Sequence, residues 1–169
     1  EGINGTTADA EAAEFKPVPI PEDAELSTFA DMALVTLRSD LEGKAAADDA
    51  TTYPAGSMLS LPLSDLIEDD WSGATALFVP TKTKSLSSTP QTKDYIIIKV
   101  LEDVRTGLEF WKFDAAARTW SKEEVEGDAA VPVGQDVSVA SPCRDCAADN
   151  DLWLFRDGYL VPDALERAS

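Results

Sequence analysis

The sequence contains no histidine, and this absence excludes the usual general base of serine and cysteine hydrolases. A Ser-His-Asp arrangement cannot be assembled from these 169 residues. The Gly-x-Ser-x-Gly segment that presents a nucleophilic serine on a sharp turn is missing as well. A Ser-Lys pair is conceivable, but no lysine is marked by the sequence as buried. We therefore expect the chain to have no catalytic residues of its own.

Cysteine is scarce, with only Cys143 and Cys146, which form a Cys-x-x-Cys motif. Such a motif can be a redox pair or half of a zinc site. A structural zinc site needs four ligands, and no histidine or third cysteine is present. Pro142 before the motif and Ala147 after it place the motif on a loop. We favour two thiols or an incidental local disulfide, with a redox pair as the alternative, and we expect no metal and no cofactor.

Basic residues are few, 14 against 32 acidic residues, which gives a formal net charge of -18. This balance repels phosphate backbones and anionic membrane surfaces, so neither nucleic acid nor membrane is an expected partner. No apolar run approaches the roughly 20 residues needed to span a bilayer. The acidic clusters 48–49, 68–70 and 123–126 lack the spaced oxygen ligands of a calcium loop, so we interpret them as solvated surface. No signal in the sequence identifies the cellular compartment of the protein, and a cytoplasmic location is slightly favoured.

Alternation of apolar and polar residues predicts strands. Tyr95 to Val100 is a β-branched and aromatic run typical of a buried strand, and residues 108–113 alternate as the next one. Between them Gly107 is expected to supply the positive φ of a tight reversal. One helical turn is expected near residues 65–71. Together the patterns predict an all-β fold with antiparallel strands near 32–38, 57–63, 76–79, 94–101, 107–113, 119–125, 135–140 and 151–156.

The strands near Met32, Asp94 and Asp151 recur at intervals of about 60 residues, enough for a four-stranded sheet with long loops. This spacing fits the blades of a β-propeller and equally a β-sandwich, and as a propeller the chain has room for about two to three blades of roughly four strands each. Residues 1–15 are expected to be a flexible acidic lead-in, and residues 16–169 the partial propeller. The predicted core comprises Leu34, Leu37, Leu59, Leu61, Phe78, Ile96, Ile98, Val100, Phe110, Leu152 and Leu154. The four tryptophans are expected to pack in it rather than form a carbohydrate platform.

Five segments, in order and spacing, resemble the propeller part of the prolyl oligopeptidase family of serine peptidases. They are Leu37-Arg38-Ser39-Asp40, Tyr53-Pro54-Ala55-Gly56-Ser57, Leu77-Phe78-Val79-Pro80-Thr81 with Ser85-Leu86, Thr92-Lys93-Asp94, and Val100-Leu101-Glu102-Asp103-Val104. The similar region runs from about residue 16 to residue 161. No single segment is specific, but their common order is.

The resemblance implies a function that depends on a larger protein. In that family a seven-bladed propeller caps an α/β-hydrolase domain with the serine triad, and it admits peptides while excluding folded proteins. The resemblance therefore implies that this chain is a non-catalytic part of a serine-type peptidase, with the hydrolase domain and peptide substrates as its partners. The family's catalytic residues have no counterparts here. The alternative is a free-standing β-rich binding or interaction module.

Overall fold

The computed structural model of the chain describes residues 17–44, 52–124, 131, 135–141 and 149–168. β-Strands dominate these residues, which contain a single short helix. In chain order the elements are β1 (Glu25–Phe29), β2 (Met32–Thr36), β3 (Leu41–Glu42), β4 (Thr52–Tyr53), β5 (Met58–Pro62), α1 (Leu63–Ile67), β6 (Thr75–Phe78), β7 (Lys84–Ser88), β8 (Tyr95–Glu102), β9 (Arg105–Asp114), β10 (Thr119–Glu123), β11 (Gln135–Ala140), β12 (Leu152–Gly158) and β13 (Val161–Ala168). The all-β prediction is confirmed. No helix in the described ranges is long and apolar enough to cross a membrane.

The strands form three successive antiparallel sheets. The first sheet has the order β1-β2-β5-β6, the second β7-β8-β9-β10 and the third β11-β12-β13, while β3 and β4 make a small hairpin between β2 and β5. Within each sheet every strand pairs with the next one along the chain, apart from the inserted hairpin. A sandwich would instead exchange strands between sheets. Local up-and-down sheets that follow one another are expected for two to three propeller blades.

The middle of the first sheet, formed by β2 and β5, is buried on both faces. Its central strand β2 reads Met-Ala-Leu-Val-Thr, and its first four residues are all buried. Leu34 lies in the core shared with the second sheet, whereas Val35 lies on the opposite face. That opposite face is covered by the chain's own connections, chiefly Leu66 of α1 and Trp71. An unbroken apolar run, rather than an alternating one, is the sequence signature of such a strand.

The core between the first and second sheets is built around an aromatic cluster. The rings of Phe29 and Phe113 meet edge-on with centroids 5.7 Å apart, and Trp120 lies 4.8 Å from Phe113. The indole Nε1 of Trp120 donates to Ser60 Oγ at 2.9 Å, so its polar atom is satisfied inside the interface. Aromatic pairs of this geometry contribute about 0.5–1.5 kcal/mol beyond their buried area. The second sheet is therefore anchored on the first by packing and by a specific hydrogen bond.

One predicted turn is wrong in its residues. The reversal between β8 and β9 is made by Asp103 and Val104, whose φ angles are +47° and +67°. Gly107, expected to make the turn, lies within β9 opposite Val100. A Cβ on Gly107 would approach Val100 Cγ2 to 3.0 Å, so this glycine provides room for a neighbouring side chain. The helical turn also begins earlier than predicted, directly after Pro62.

All eight predicted strands are present, with ends displaced by a few residues. The prediction missed β1, β3, β4, β7 and β13. The segment of β7 is Lys-Ser-Leu-Ser-Ser and that of β13 contains Pro162 and several helix-forming residues, so their own preferences are weak. Both lie at the edge of a sheet, where pairing with β8 or β12 holds them extended. Of the predicted core, only Phe110 is half-buried and the rest is buried.

Candidate functional site

The two residues singled out as a site, Cys143 and Cys146, lie outside the described residues, as do Asp48, Asp49 and Glu126. The acidic stretch 68–70 is described, and hydrogen bonds within the chain occupy it. Asp69 accepts from Lys44 Nζ at 2.9 Å and from Trp71 Nε1 at 3.0 Å, and these bonds lower the pKa of its carboxyl. In the described part of the chain no cluster of three or more potential metal ligands occurs.

The four tryptophans lie in or against the packed interior. Trp71 is buried beneath the first sheet, while Trp111 and Trp120 pack against the core between the first and second sheets. Trp153 is half-buried on the third sheet. A carbohydrate platform would need adjacent rings open to solvent, whereas Trp71 is buried and the other three tryptophans are at least half-buried. Packing, the preferred interpretation of the sequence, is what the structure shows.

The sheets have two distinct ends, and their connections define them. We call the end at which β1, β7 and β11 begin the upper end. It also holds the 79–83 connection and the β8–β9 and β12–β13 turns. The lower end holds α1 and the β1–β2 and β9–β10 turns. Contacts between sheets join like ends: Arg118 Nε of the β9–β10 turn donates to Asp31 Oδ2 of the β1–β2 turn at 2.6 Å. The upper ends of all three sheets therefore face the same way.

A charged cluster crosses the second sheet beside its core. Glu109 on β9 pairs with Lys84 on β7 and, at 2.9 Å, with Lys122 on β10. Its side chain is only 10% exposed. Burial by itself would raise the pKa of Glu109, but the hydrogen bonds from the two lysines outweigh burial, so the pKa is lowered. A nearly enclosed carboxylate held by two cations ties both edge strands to the middle of the sheet.

The second and third sheets are joined at the lower end by Asn150. Its Oδ1 accepts from Thr92 Oγ1 at 3.0 Å and from the Asp94 amide at 2.9 Å, and its Nδ2 donates to Asp94 Oδ2 at 2.8 Å. The Lys93 amide adds a bond to Asp149 O at 2.9 Å. Thr92 is buried, so this network replaces water at the junction. One side chain thus fixes how β12 begins relative to β8.

At the upper end the same two sheets are joined by Asp136. Its carboxylate contacts Lys99 Nζ at 3.2 Å and accepts a hydrogen bond from Thr106. Burial opposes the charge of Asp136, yet the bonds from Thr106 and Lys99 prevail, and the pKa of this group is lowered. Above this contact lies an open groove of about 580 Å³ between the β8–β9 and β12–β13 turns. Its lining combines polar side chains, among them Lys99 and Asp136, with Val104 of the first turn and Tyr159 of the second.

Sequence reasoning did not find these junctions. Asn150, Asp136 and Glu109 are three of the many polar residues of the chain, and their partners lie 13 to 58 positions away in the sequence. Only the folded arrangement of strands and sheets brings these residues next to their partners. A signal did exist for Glu109, because it lies on the apolar face of a strand whose neighbours on that face are Trp111 and Phe113. A charged residue inside such a stripe usually has a partner.

The chain is similar in sequence to one known protein and in fold to another. No protein-family model matches the chain. Over 150 residues the chain is 26% identical to an uncharacterized peptidase, y4nA, of Sinorhizobium fredii, and the match covers 88% of this chain and 19% of that protein. Its fold is similar to the solved structure of a post-proline cleaving enzyme from Rickettsia typhi, with a TM-score of 0.66 at 20% identity. That match covers 89% of this chain and 20% of the enzyme.

Both similarities extend along nearly the whole of this chain, while the chain spans about a fifth of the length of each of these proteins. Neither similarity depends on a catalytic motif, because the aligned chain contains no histidine. One match is to a protein named as a peptidase, and the other is to the fold of a post-proline cleaving enzyme. The resemblance of this chain to the propeller part of the prolyl oligopeptidase family is thereby confirmed.

Proposed function

We propose that the chain is the non-catalytic propeller segment of a prolyl oligopeptidase-like serine peptidase, and that it gates the access of peptides to a hydrolase domain outside residues 1–169. The observation behind this proposal is the pair of matches, which cover most of this chain but a fifth of two peptidase-like proteins. Residues 16–169 would be the propeller part, and residues 1–15 a lead-in outside the described residues.

The edges of the sheets support a gating role. In a propeller the sheets stand around a central channel, and one edge strand of each sheet faces it. The first strands β1 and β7 are edge strands that would face such a channel, and their exposed side chains are mainly polar, including Glu25, Ser27, Thr28, Ser85 and Ser87. A channel lined this way would admit an extended, hydrated peptide. A folded protein would be too wide for it.

The alternative function is a free-standing binding or interaction module. One observation favours it: the first sheet is covered on both faces by residues of this chain, as in a self-contained unit. The open reading frame that encodes the sequence discriminates between the two. A hydrolase domain with a nucleophile elbow supports the peptidase segment, and a protein without one supports the module.

Activity provides the biochemical test. The purified 169-residue chain should hydrolyse prolyl-linked fluorogenic peptides only at the buffer rate, because it has neither histidine nor an elbow. The full parent protein should hydrolyse them, and a serine-directed inhibitor should abolish that turnover. Inhibitor-sensitive turnover by the 169-residue chain would contradict the proposal. A parent protein that cleaves a large folded substrate as fast as a short peptide would contradict the gating role.

A further inference from the structure

Large apolar side chains are exposed far more at the upper end of the sheets than at the lower end. Val104, Tyr159 and Leu160, at the tips of the β8–β9 and β12–β13 turns, are 91%, 99% and 89% exposed. Val79 and Leu101 add further exposed apolar surface at this end. Among the described residues of the lower end, Ile67 is the comparable case. Exposed apolar surface that is concentrated at one end is typical of a contact with another protein surface.

The backbone at Val104 gives independent support. A two-residue hairpin turn with positive φ at both positions favours Asn-Gly or Asp-Gly, because glycine adopts this conformation without steric cost. Here the second position is valine at φ +67°, and a β-branched residue at positive φ is a genuine outlier. Strain of this kind is characteristic of functional positions. The exposed valine contributes nothing to the core that would offset the strain.

The strand topology indicates at which end of the sheets a further domain of the same polypeptide would be joined. The first sheet begins with Glu25 at the upper end, and after four antiparallel strands it finishes there with Phe78. The second sheet likewise begins with Lys84 and finishes with Glu123 at the upper end. An even number of antiparallel strands always returns the chain to the end where it began. A domain joined to complete four-stranded sheets is therefore attached at the upper end.

We propose that the tips Asp103–Val104 and Tyr159–Leu160 form the surface on which the hydrolase domain of the parent chain docks. This inference rests on the proposed function, since that domain lies outside residues 1–169. The docked domain would cover the apolar tips with apolar side chains of its own. The groove between the tips offers Lys99, Asp136 and Asp157 at its floor and rim, which suits the polar margin of a domain contact.

Site-specific photo-cross-linking in the parent protein tests the proposal. p-Benzoylphenylalanine is introduced at Val104, at Tyr159 and, as a matched control, at Ala116, which is exposed in the β9–β10 turn of the lower end. After irradiation, mass spectrometry should find cross-links to hydrolase peptides from positions 104 and 159 and none from position 116. Cross-links to the hydrolase from position 116 alone would overturn the docking surface while leaving the proposed function intact. A parent protein with no hydrolase domain would overturn both.

Val104→Gly supplies a second readout that a merely local role would not produce. In the 169-residue chain the glycine relieves the strained φ, so the melting temperature should rise. In the parent protein the same change removes a docked side chain, so limited proteolysis between the two domains should become faster. Ala116→Gly should change neither the interdomain cleavage rate nor its pattern. Val104→Gly that raises stability without accelerating interdomain proteolysis would contradict the proposal.

Discussion

The first and third sheets differ in what covers their faces. The first sheet is enclosed, with the second sheet on one face and Leu66, Trp71 and the β3–β4 hairpin on the other. The third sheet buries Val137, Leu152 and Leu154, but its other face shows Phe155 and Leu165 at 46% and 59% exposure. These two side chains are direct cross-strand partners. The first sheet therefore carries its own cover, whereas the third sheet leaves the apolar side chains of Phe155 and Leu165 largely open to solvent.

The largest expected effect concerns the cover of the first sheet. Trp71→Ala should lower the free energy of unfolding by about 3–5 kcal/mol, because it opens a cavity under a buried sheet and removes the bond from Nε1 to Asp69. Phe155→Ala on the third sheet, the matched control, should change it by less than about 0.5 kcal/mol. Urea denaturation measures both. Equal effects would show that the two sheets are covered alike.

The junction between the second and third sheets should come next in size. Asn150→Ala leaves buried Thr92 and the Asp94 amide without their partner, which should cost about 1–3 kcal/mol. The loss should be local: hydrogen exchange should accelerate in β12 and β13 but stay unchanged in β2 and β5. Thr119→Ala, at an exposed position, serves as the control. Uniform acceleration in all three sheets would contradict a separate junction.

The charged cluster of the second sheet should make stability depend on pH. The pKa of Glu109 is lower in the folded chain than the unfolded value of about 4.3. Its contribution is therefore complete above that value and is lost as the pH falls through the lower folded pKa. Glu109→Gln should flatten the acid limb of the stability curve relative to the unaltered chain. Glu42→Gln, an exposed carboxylate on β3, should leave the curve parallel to it.

The open face of the third sheet should promote self-association when charge repulsion is screened. The net charge of -18 opposes contact between copies at low salt, whereas about 1 M salt shortens the screening length to roughly 3 Å. Light scattering or sedimentation should therefore show association that increases with salt. Phe155→Ser should weaken it, and Leu26→Ser on the first sheet should not. A chain that stays monomeric at high salt would favour the self-contained module.

The sequence predicted the elements whose residues alternate or run apolar, and it missed those held by neighbours. Tyr95 to Val100 was predicted as a buried strand from composition alone, and Ile96 and Ile98 are indeed buried. β7 and β13 have weak preferences of their own, so only pairing reveals them.

The contacts that join sheets and strands were the hardest to predict, because each of them depends on a partner that is distant in the sequence. Asn150 and Glu109 become significant only when the sheets bring Thr92 or Lys84 to them. Val104 ends the last of the five segments that resemble the peptidase family, but its strained φ and its position at the upper end become visible only in the folded turn. The absence of histidine, in contrast, is visible in the sequence at once.

Hydrogen exchange in the 169-residue chain and in the full parent protein tests most directly the claim that this chain is one segment of a longer sheet assembly. The amides of β2 and β5 in the enclosed first sheet should exchange equally slowly in both proteins. The amides of β13 and of the Tyr159–Leu160 turn should become markedly more protected in the parent, because further chain covers Phe155, Leu165 and the upper end. Identical exchange of β13 in the two proteins, or new protection confined to the first sheet, would contradict the account.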